Sequence, residues 1–130
     1  MSELLAPISP GELCDKITIL RIKSQRMSDA AKLANVRHEL AILEATWVAS
    51  GLASDAIDVE VAALHAVNER LWVIEDDIRG CERRGDFGPE FVRLARAVYI
   101  ENDERAAIKK RINVALGAKL VEEKSYAKYR

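Results

Sequence analysis

Apolar residues recur along most of the chain at alternating steps of three and four positions, which is the spacing of one face of an α-helix. The clearest run lies in the first half of the chain and consists of Leu33, Val36, Leu40, Leu43 and Trp47. Similar runs occur before it and after it, and no segment alternates with the period of two that is typical of a β-strand. The pattern therefore predicts an all-α protein.

Residues that begin and end helices divide the chain into four predicted helices. Ser9 followed by Pro10 indicates a helix start, because serine can accept a hydrogen bond from the first turn and proline suits the first helical position. Gly51, Gly85 and Gly117 stand where the apolar runs stop, and glycine is typical of helix ends. The predicted helices span about residues 10–27, 29–50, 55–84 and 89–116, and a charged tail at 118–130 is either a short helix or a loose arm.

The connections between these helices are short, and short connections favour antiparallel neighbours. The chain has 130 residues, enough for one domain with a core and too few for two ordinary domains. We therefore expect residues 1–130 to form a single antiparallel bundle of four helices.

The composition of the chain limits the kinds of binding partner and the cellular compartment that we expect. The chain has 20 basic and 21 acidic residues, so there is no basic excess that would indicate a nucleic-acid partner. No run of apolar residues is long enough to cross a bilayer, and the first ten residues do not resemble a signal peptide. Cys14 and Cys81 are too far apart in sequence for a metal knuckle or redox motif, which favours reduced, buried thiols. A cytoplasmic location is predicted.

Several polar residues fall where the helical pattern should be apolar. At about 100° per residue, Asn102, Arg105 and Lys109 lie within the apolar arc of the fourth predicted helix. Asn68 and Glu75 lie in the same way within the arc of the third. These five residues are the candidates for a polar layer inside the bundle.

If the helices fold back on one another at the predicted turns, these polar residues come to similar heights along the axis of the bundle. Asn68 then lies opposite Arg105, Glu75 lies within a turn of Asn102, and Arg37 of the second helix approaches Asn68. A buried charge without a partner costs several kcal/mol. We therefore expect Glu75, Arg105 and Asn102 to be largely buried and close enough for hydrogen bonds that are direct or pass through one water. Asn68 and Lys109 are expected at the edge of this layer.

The polar layer has two interpretations. It can be structural, because buried polar groups fix the register and the partners of packed helices. It can also be a pocket for a small anion, with Trp72 as a wall and with cations and amides as ligands. The ligand-binding candidates are Asn68, Trp72, Glu75, Asn102, Arg105 and Lys109.

Other candidate motifs are weaker. His65 and Glu69 are one turn apart and could share a metal ion, but no second pair completes a site. Adjacent carboxylates such as Asp76 and Asp77 point in different directions on a helix, so we expect them to be solvated, like His38. No metal, no cofactor and no catalytic residue is predicted.

Six segments of the chain resemble a family of small bacterial all-helical proteins, a domain of unknown function. They are SPGELCDKITIL (9–20), KLANVRHEL (32–40), LWVIEDDIR (71–79), GDFG (85–88), NDERAAIK (102–109) and VEEKSY (121–126). This resemblance implies a bacterial helical protein and assigns no role to any residue. A fainter similarity to the all-helical chorismate mutases would imply electrostatic catalysis by Glu75, Asn102, Arg105 and Lys109.

The sequence thus favours a non-enzymatic interaction or accessory protein of the bacterial cytosol. Its long amphipathic helices predict a protein partner or self-association, without nucleic acid and without a membrane span. The alternative is a small-anion-binding protein or small helical enzyme that uses the polar layer.

Overall fold

The computed structural model describes residues 2–120 and 122–130, so Met1 of the predicted domain and Val121 of the predicted tail lie outside the described residues. The described residues form four helices and no strand, which confirms the all-α bundle. A single 3-10 turn at Asp55–Ile57 precedes the third helix. The helices are α1 (Pro10–Arg26), α2 (Ala30–Ser50), α3 (Asp58–Arg84) and α4 (Pro89–Ala115).

Local sequence signals account for where these helices begin and end. The hydroxyl of Ser9 accepts from the backbone N–H of Glu12 at 3.2 Å, and a carboxylate oxygen of Asp29 accepts from that of Lys32 at 3.0 Å. Gly51 ends α2 with a φ of 68°, in the left-handed region that glycine adopts readily. The predicted bounds differ from the observed ones by at most three residues, because helix ends are shared with caps and 3-10 turns.

α1 lies at the centre of the bundle and contacts all three other helices. α3 and α4 pack side by side in opposite directions, since Glu60 near the start of α3 pairs with Arg111 near the end of α4. α1 fills the groove between them. The central buried cluster consists of Cys14, Ile57, Leu64, Val67, Ile108 and Ile112.

α2 packs against α1 and against no other helix of the described residues. Its apolar run, from Leu33 to Trp47, is half-buried, and no residue of α2 is fully buried. The expected approach of Arg37 to Asn68 is wrong, because α1 occupies the position beside α3 that the prediction gave to the second helix. α2 is therefore the least covered helix of the bundle.

The tail forms no helix in the parts that the structure describes. Residues 118–120 and 122–130 run back along α4. Glu122 bonds Lys109 at 2.8 Å, the hydroxyl of Tyr129 donates to Asp103 at 2.6 Å, and the rings of Tyr129 and Tyr99 meet edge-on with centroids 5.0 Å apart. We call this segment the C-terminal arm. None of the described helices combines the length and apolar character needed to cross a membrane.

Candidate functional site

A buried ion pair joins α1 to α4. The side chain of Asp15 is fully buried and receives two hydrogen bonds from the Arg105 guanidinium, of which the bond from Nε to Oδ1 measures 2.8 Å. Arg105 is half-buried, with 29% of its side chain exposed. The hydrogen bond to Asp15 raises the pKa of Arg105, so the guanidinium stays charged. The pair is fork-like, with both guanidinium–carboxylate hydrogen bonds formed inside the bundle.

Asn68 of α3 joins the same cluster. Its side-chain amide donates to Oδ1 of Asp15 at 3.0 Å and to the hydroxyl of Thr18 at 2.9 Å. Thr18 in turn donates to the backbone carbonyl of Asp15 at 2.8 Å. Nη1 of Arg105 reaches the amide oxygen of Asn102 at a longer 3.4 Å. We call Asp15, Thr18, Asn68, Asn102 and Arg105 the polar cluster; it joins α1, α3 and α4.

The expected pairing of Glu75 with Arg105 is wrong. Glu75 bonds Arg79, one turn further along α3, and 45% of its side chain is exposed. The counter-charge of Arg105 comes instead from Asp15, a residue of α1. Asn68, expected at the edge of the layer, is 5% exposed and lies near its centre. A polar layer exists, but a different helix supplies its carboxylate.

Lys109 forms a second buried polar group rather than the edge of the first. Its ammonium lies 2.6 Å from Glu12 of α1 and 2.8 Å from Glu122 of the C-terminal arm, and 9% of its side chain is exposed. Burial acts to lower the pKa of Lys109, but hydrogen bonds to Glu12 and Glu122 outweigh it and raise that pKa. Lys109 is thus a charged group that holds the arm against the bundle.

α1 and α4 approach closely at the start of α1. The backbone N–H of Gly11 donates to the side-chain oxygen of Asn113 at 2.7 Å. A Cβ atom at Gly11 would lie 2.5 Å from the backbone oxygen of Lys109, closer than real contacts allow. Glycine at this position therefore permits the helix spacing at which Asp15 and Arg105 meet.

Sequence reasoning missed Asp15, Thr18 and Asn113, and a signal for Asp15 was present. The apolar run that predicted the first helix is Leu13, Ile17, Leu20 and Met27. Asp15 and Ile22 are two turns apart on the opposite side of α1. α1 has apolar residues on both sides, which is typical of a central helix. A polar residue in such a helix is expected to be buried.

An open cavity of about 600 Å³ lies where α1, α3 and α4 meet, next to the polar cluster. Five of the six predicted ligand-binding residues line it, and Lys109 does not. The cavity has an apolar wall formed by Ile19, Ile22, Leu71 and Trp72, and a polar wall formed by Asn68, Glu75, Asp76, Arg79, Asn102 and Arg105. Lys109 lies instead at two cavities of about 530 and 280 Å³ beside the C-terminal arm.

The charges around the larger cavity largely balance. Asp15 matches the charge of Arg105, Arg79 pairs with Glu75, and Asp76 is exposed. Two polar groups beside the cavity lack a short hydrogen bond to any described residue. Nη1 of Arg105 has only the 3.4 Å contact with Asn102, and the side-chain oxygen of Asn68 accepts no hydrogen bond from a described residue. These groups offer a donor and an acceptor to a molecule in the cavity.

The described residues give little support for a metal site or for a nucleophilic cysteine. No group of three or more metal-binding side chains occurs there, and His65 and Glu69 hydrogen-bond each other at 3.1 Å. Burial raises the pKa of the Cys14 thiol to about 11. Since the thiolate is the reactive form, a thiol with this pKa is a poor nucleophile at neutral pH.

Comparison with protein-family models, with curated proteins and with solved structures gives no match to this chain.

Proposed function

We propose that this protein is a non-enzymatic interaction protein of the bacterial cytosol, and that α2 carries its docking surface. The observation behind this proposal is the packing of α2, which among the described helices packs along α1 only and has no fully buried residue. Most helical stability in proteins comes from burying an apolar face against a neighbour. A helix of 21 residues that is covered on one side alone has a free side available to a partner.

One strip of the free side of α2 is apolar. We call Ala34, Ala41, Ala45 and Val48 the outer face of α2; all four are exposed, and Val48 is 76% exposed. At about 100° per residue they fall within an arc of roughly 60° on the helix, whose centre lies about 130° from the centre of the run that contacts α1. Contiguous exposed apolar surface is typical of interaction sites.

Site-specific photo-crosslinking in living cells tests this proposal. A benzophenone amino acid replaces Ala45 on the outer face, and a matched variant carries it at Glu39, which is exposed on the opposite side of the same helix. We expect one discrete adduct from position 45 and none from position 39. Absence of an adduct at position 45, or equal labelling from both positions, would refute the proposed docking surface.

A second candidate function, binding of a small anion, is supported by the cavity next to the polar cluster. Trp72 and the aliphatic side chains provide an apolar wall, and Nη1 of Arg105 and the Asn68 oxygen provide hydrogen-bonding groups. This volume falls in the range of small-molecule sites. Asp15 already balances Arg105, so a ligand would bind mainly through hydrogen bonds and apolar contact rather than net charge.

Thermal unfolding in the presence of phosphate and of benzoate tests the second candidate. Phosphate offers charge alone, whereas benzoate adds a flat ring that fits against Trp72. A ligand present at 100 times its dissociation constant stabilises a protein by about 2.7 kcal/mol. We expect benzoate to raise the melting temperature of the wild type and not of Trp72→Ala. Equal responses of the two proteins would exclude the cavity as the binding site.

A further inference from the structure

We infer that the partner of α2 is a second copy of this chain, packed antiparallel through the outer face about a two-fold axis that passes near Ala41. This inference rests on the proposed docking surface and adds the identity and geometry of the occupant. Homodimers with two-fold symmetry are the commonest soluble oligomers, and each copy then presents the same surface to the other. A surface at such an interface must therefore be complementary to a copy of itself that is rotated by 180°.

The outer face of α2 meets this requirement in shape. Ala34, Ala41 and Val48 repeat at heptad spacing, and Ala41 lies near the middle of Ala30–Ser50. With the axis at Ala41, each Ala34 meets Val48 of the second copy. Alanine at the contact allows helix axes to approach towards the lower end of the usual range of 8–10 Å. The heptad spacing also keeps the contact continuous along the pair.

Charge supplies the argument for the antiparallel direction. Arg37 and Glu44 flank the outer face on the same side, one heptad apart. Antiparallel packing about Ala41 places Arg37 at the level of Glu44 of the second copy, and symmetry makes this pair twice. A parallel two-fold pair would place the Arg37–Glu44 flanks of the two copies on opposite sides of the contact, so these charges would not pair.

Both charged residues are available for these contacts. Arg37 is exposed and has no ion-pair partner among the described residues. Glu44 lies 3.7 Å from Arg21, and the side chains of both are more than 40% exposed. An exposed ion pair of this kind contributes little stability and exchanges easily. The structure thus leaves two complementary charges beside an uncovered apolar face.

Sedimentation velocity over a range of protein concentrations tests the inference, with circular dichroism to show that each variant is folded. We expect the wild type to dimerise. R37E and E44R should each weaken dimerisation by about tenfold or more, since each change turns two attractive contacts into repulsive ones. R37E/E44R together should restore dimerisation, because the reciprocal pairs form again with reversed signs.

The chain offers a matched control on the far side of α2. Lys32 and Glu39 are also one heptad apart and exposed, but they lie away from the outer face. K32E and E39R should leave the dimer unchanged, while A41E should abolish it. A wild type that remains monomeric at all concentrations, or a dimer that tolerates both A41E and R37E, overturns the inference.

The two proposals fail in distinguishable ways. A monomer that still forms a discrete adduct with a different protein through position 45 refutes the second copy alone. No adduct through position 45 and no dimer would refute the docking surface as well.

Discussion

At the scale of single residues, Asp15 organises the interior of this protein. Its carboxylate accepts from Arg105 and Asn68, and neither oxygen has access to solvent. Removing one partner of a buried ion pair leaves the other charge unpaired, which is far more destabilising than the pair is stabilising. Stability should therefore depend on Asp15 and hardly at all on Glu75, the carboxylate that the pattern of the helices predicted.

We expect Asp15→Ala to lower the free energy of unfolding by about 3–5 kcal/mol, because it leaves Arg105 without a counter-charge. Glu75→Ala is the matched control and should cost less than about 1 kcal/mol, since its partner Arg79 is exposed. Urea unfolding of both variants measures the difference. The double change Asp15→Leu/Arg105→Met should recover much of the loss. Equal effects of the two single changes would contradict the assigned pairing.

Cys14 predicts a dependence of stability on alkaline pH. Burial raises the pKa of its thiol from 9.0 to about 11, so between these values the unfolded chain releases a proton that the folded chain keeps. The contribution to stability is complete below pH 9 and is lost as pH rises towards 11. The expected loss is on the order of 2 kcal/mol. Urea unfolding at pH 8 and at pH 10.5 measures the loss of unfolding free energy between these values, and we expect a smaller loss for Cys14→Ala than for the wild type. An identical loss in the two proteins would refute the role of Cys14.

At the scale of helices, the separation of α1 and α4 decides whether the polar cluster forms. Gly11 lies against the backbone of Lys109 and bonds the side chain of Asn113. Backbone atoms cannot move aside as the end of a side chain can. The spacing of two whole helices therefore depends on one position that has no side chain.

Substitution of the two helical glycines should have opposite results. Gly11→Ala should destabilise the protein by about 1–3 kcal/mol, because its methyl group overlaps the backbone of α4. At Gly80 an added Cβ would meet only the end of the Arg84 side chain, at 3.2 Å. Gly80→Ala should therefore be neutral or stabilising by up to about 1 kcal/mol, since alanine favours the helix. Thermal or urea unfolding of both variants provides the test, and a stable Gly11→Ala would contradict the close approach.

At the scale of the whole molecule, three helices form the core while α2 and the C-terminal arm are attached to it from outside. Among the described helices α2 packs along α1 only, with Trp47 reaching the buried cluster, and the arm contacts Lys109, Asp103 and Tyr99 of α4. These two peripheral parts contribute little to the buried core. They are also the parts where a partner can bind without opening the bundle.

The attachment of the C-terminal arm can be tested through Glu122. Glu122→Gln removes one of the two carboxylates that bond Lys109, and trypsin should then cleave after Lys124 faster than in the wild type. Glu123→Gln is the control, because Glu123 is exposed and has no ion pair among the described residues. Mass spectrometry at neutral pH measures the rate of cleavage after Lys124 in the wild type and in both variants. Similar rates for both variants would show that the Glu122 contact does not hold the arm.

The sequence by itself determined the helices of this protein, because their signals are local. The cap at Ser9, the cap at Asp29 and the glycine at 51 each act within one turn of the backbone, so their effect does not depend on the rest of the fold. The periodic apolar residues likewise identified the inner side of α3 and α4 and the polar residues that lie on it. Asn68 and Arg105 were found in this way, and both belong to the polar cluster.

Only the tertiary structure decided which groups these residues meet. A helical pattern reports which side of a helix faces inward, but it does not report which other helix lies there. α1 took the place beside α3 that the predicted turns gave to α2, and Asp15 thereby replaced Glu75 as the partner of Arg105. That choice depends on contacts such as Gly11 with Asn113, which join residues far apart in the chain. A buried charge needs a partner because an unpaired one is strongly destabilising. The packing of the helices decides which residue becomes that partner.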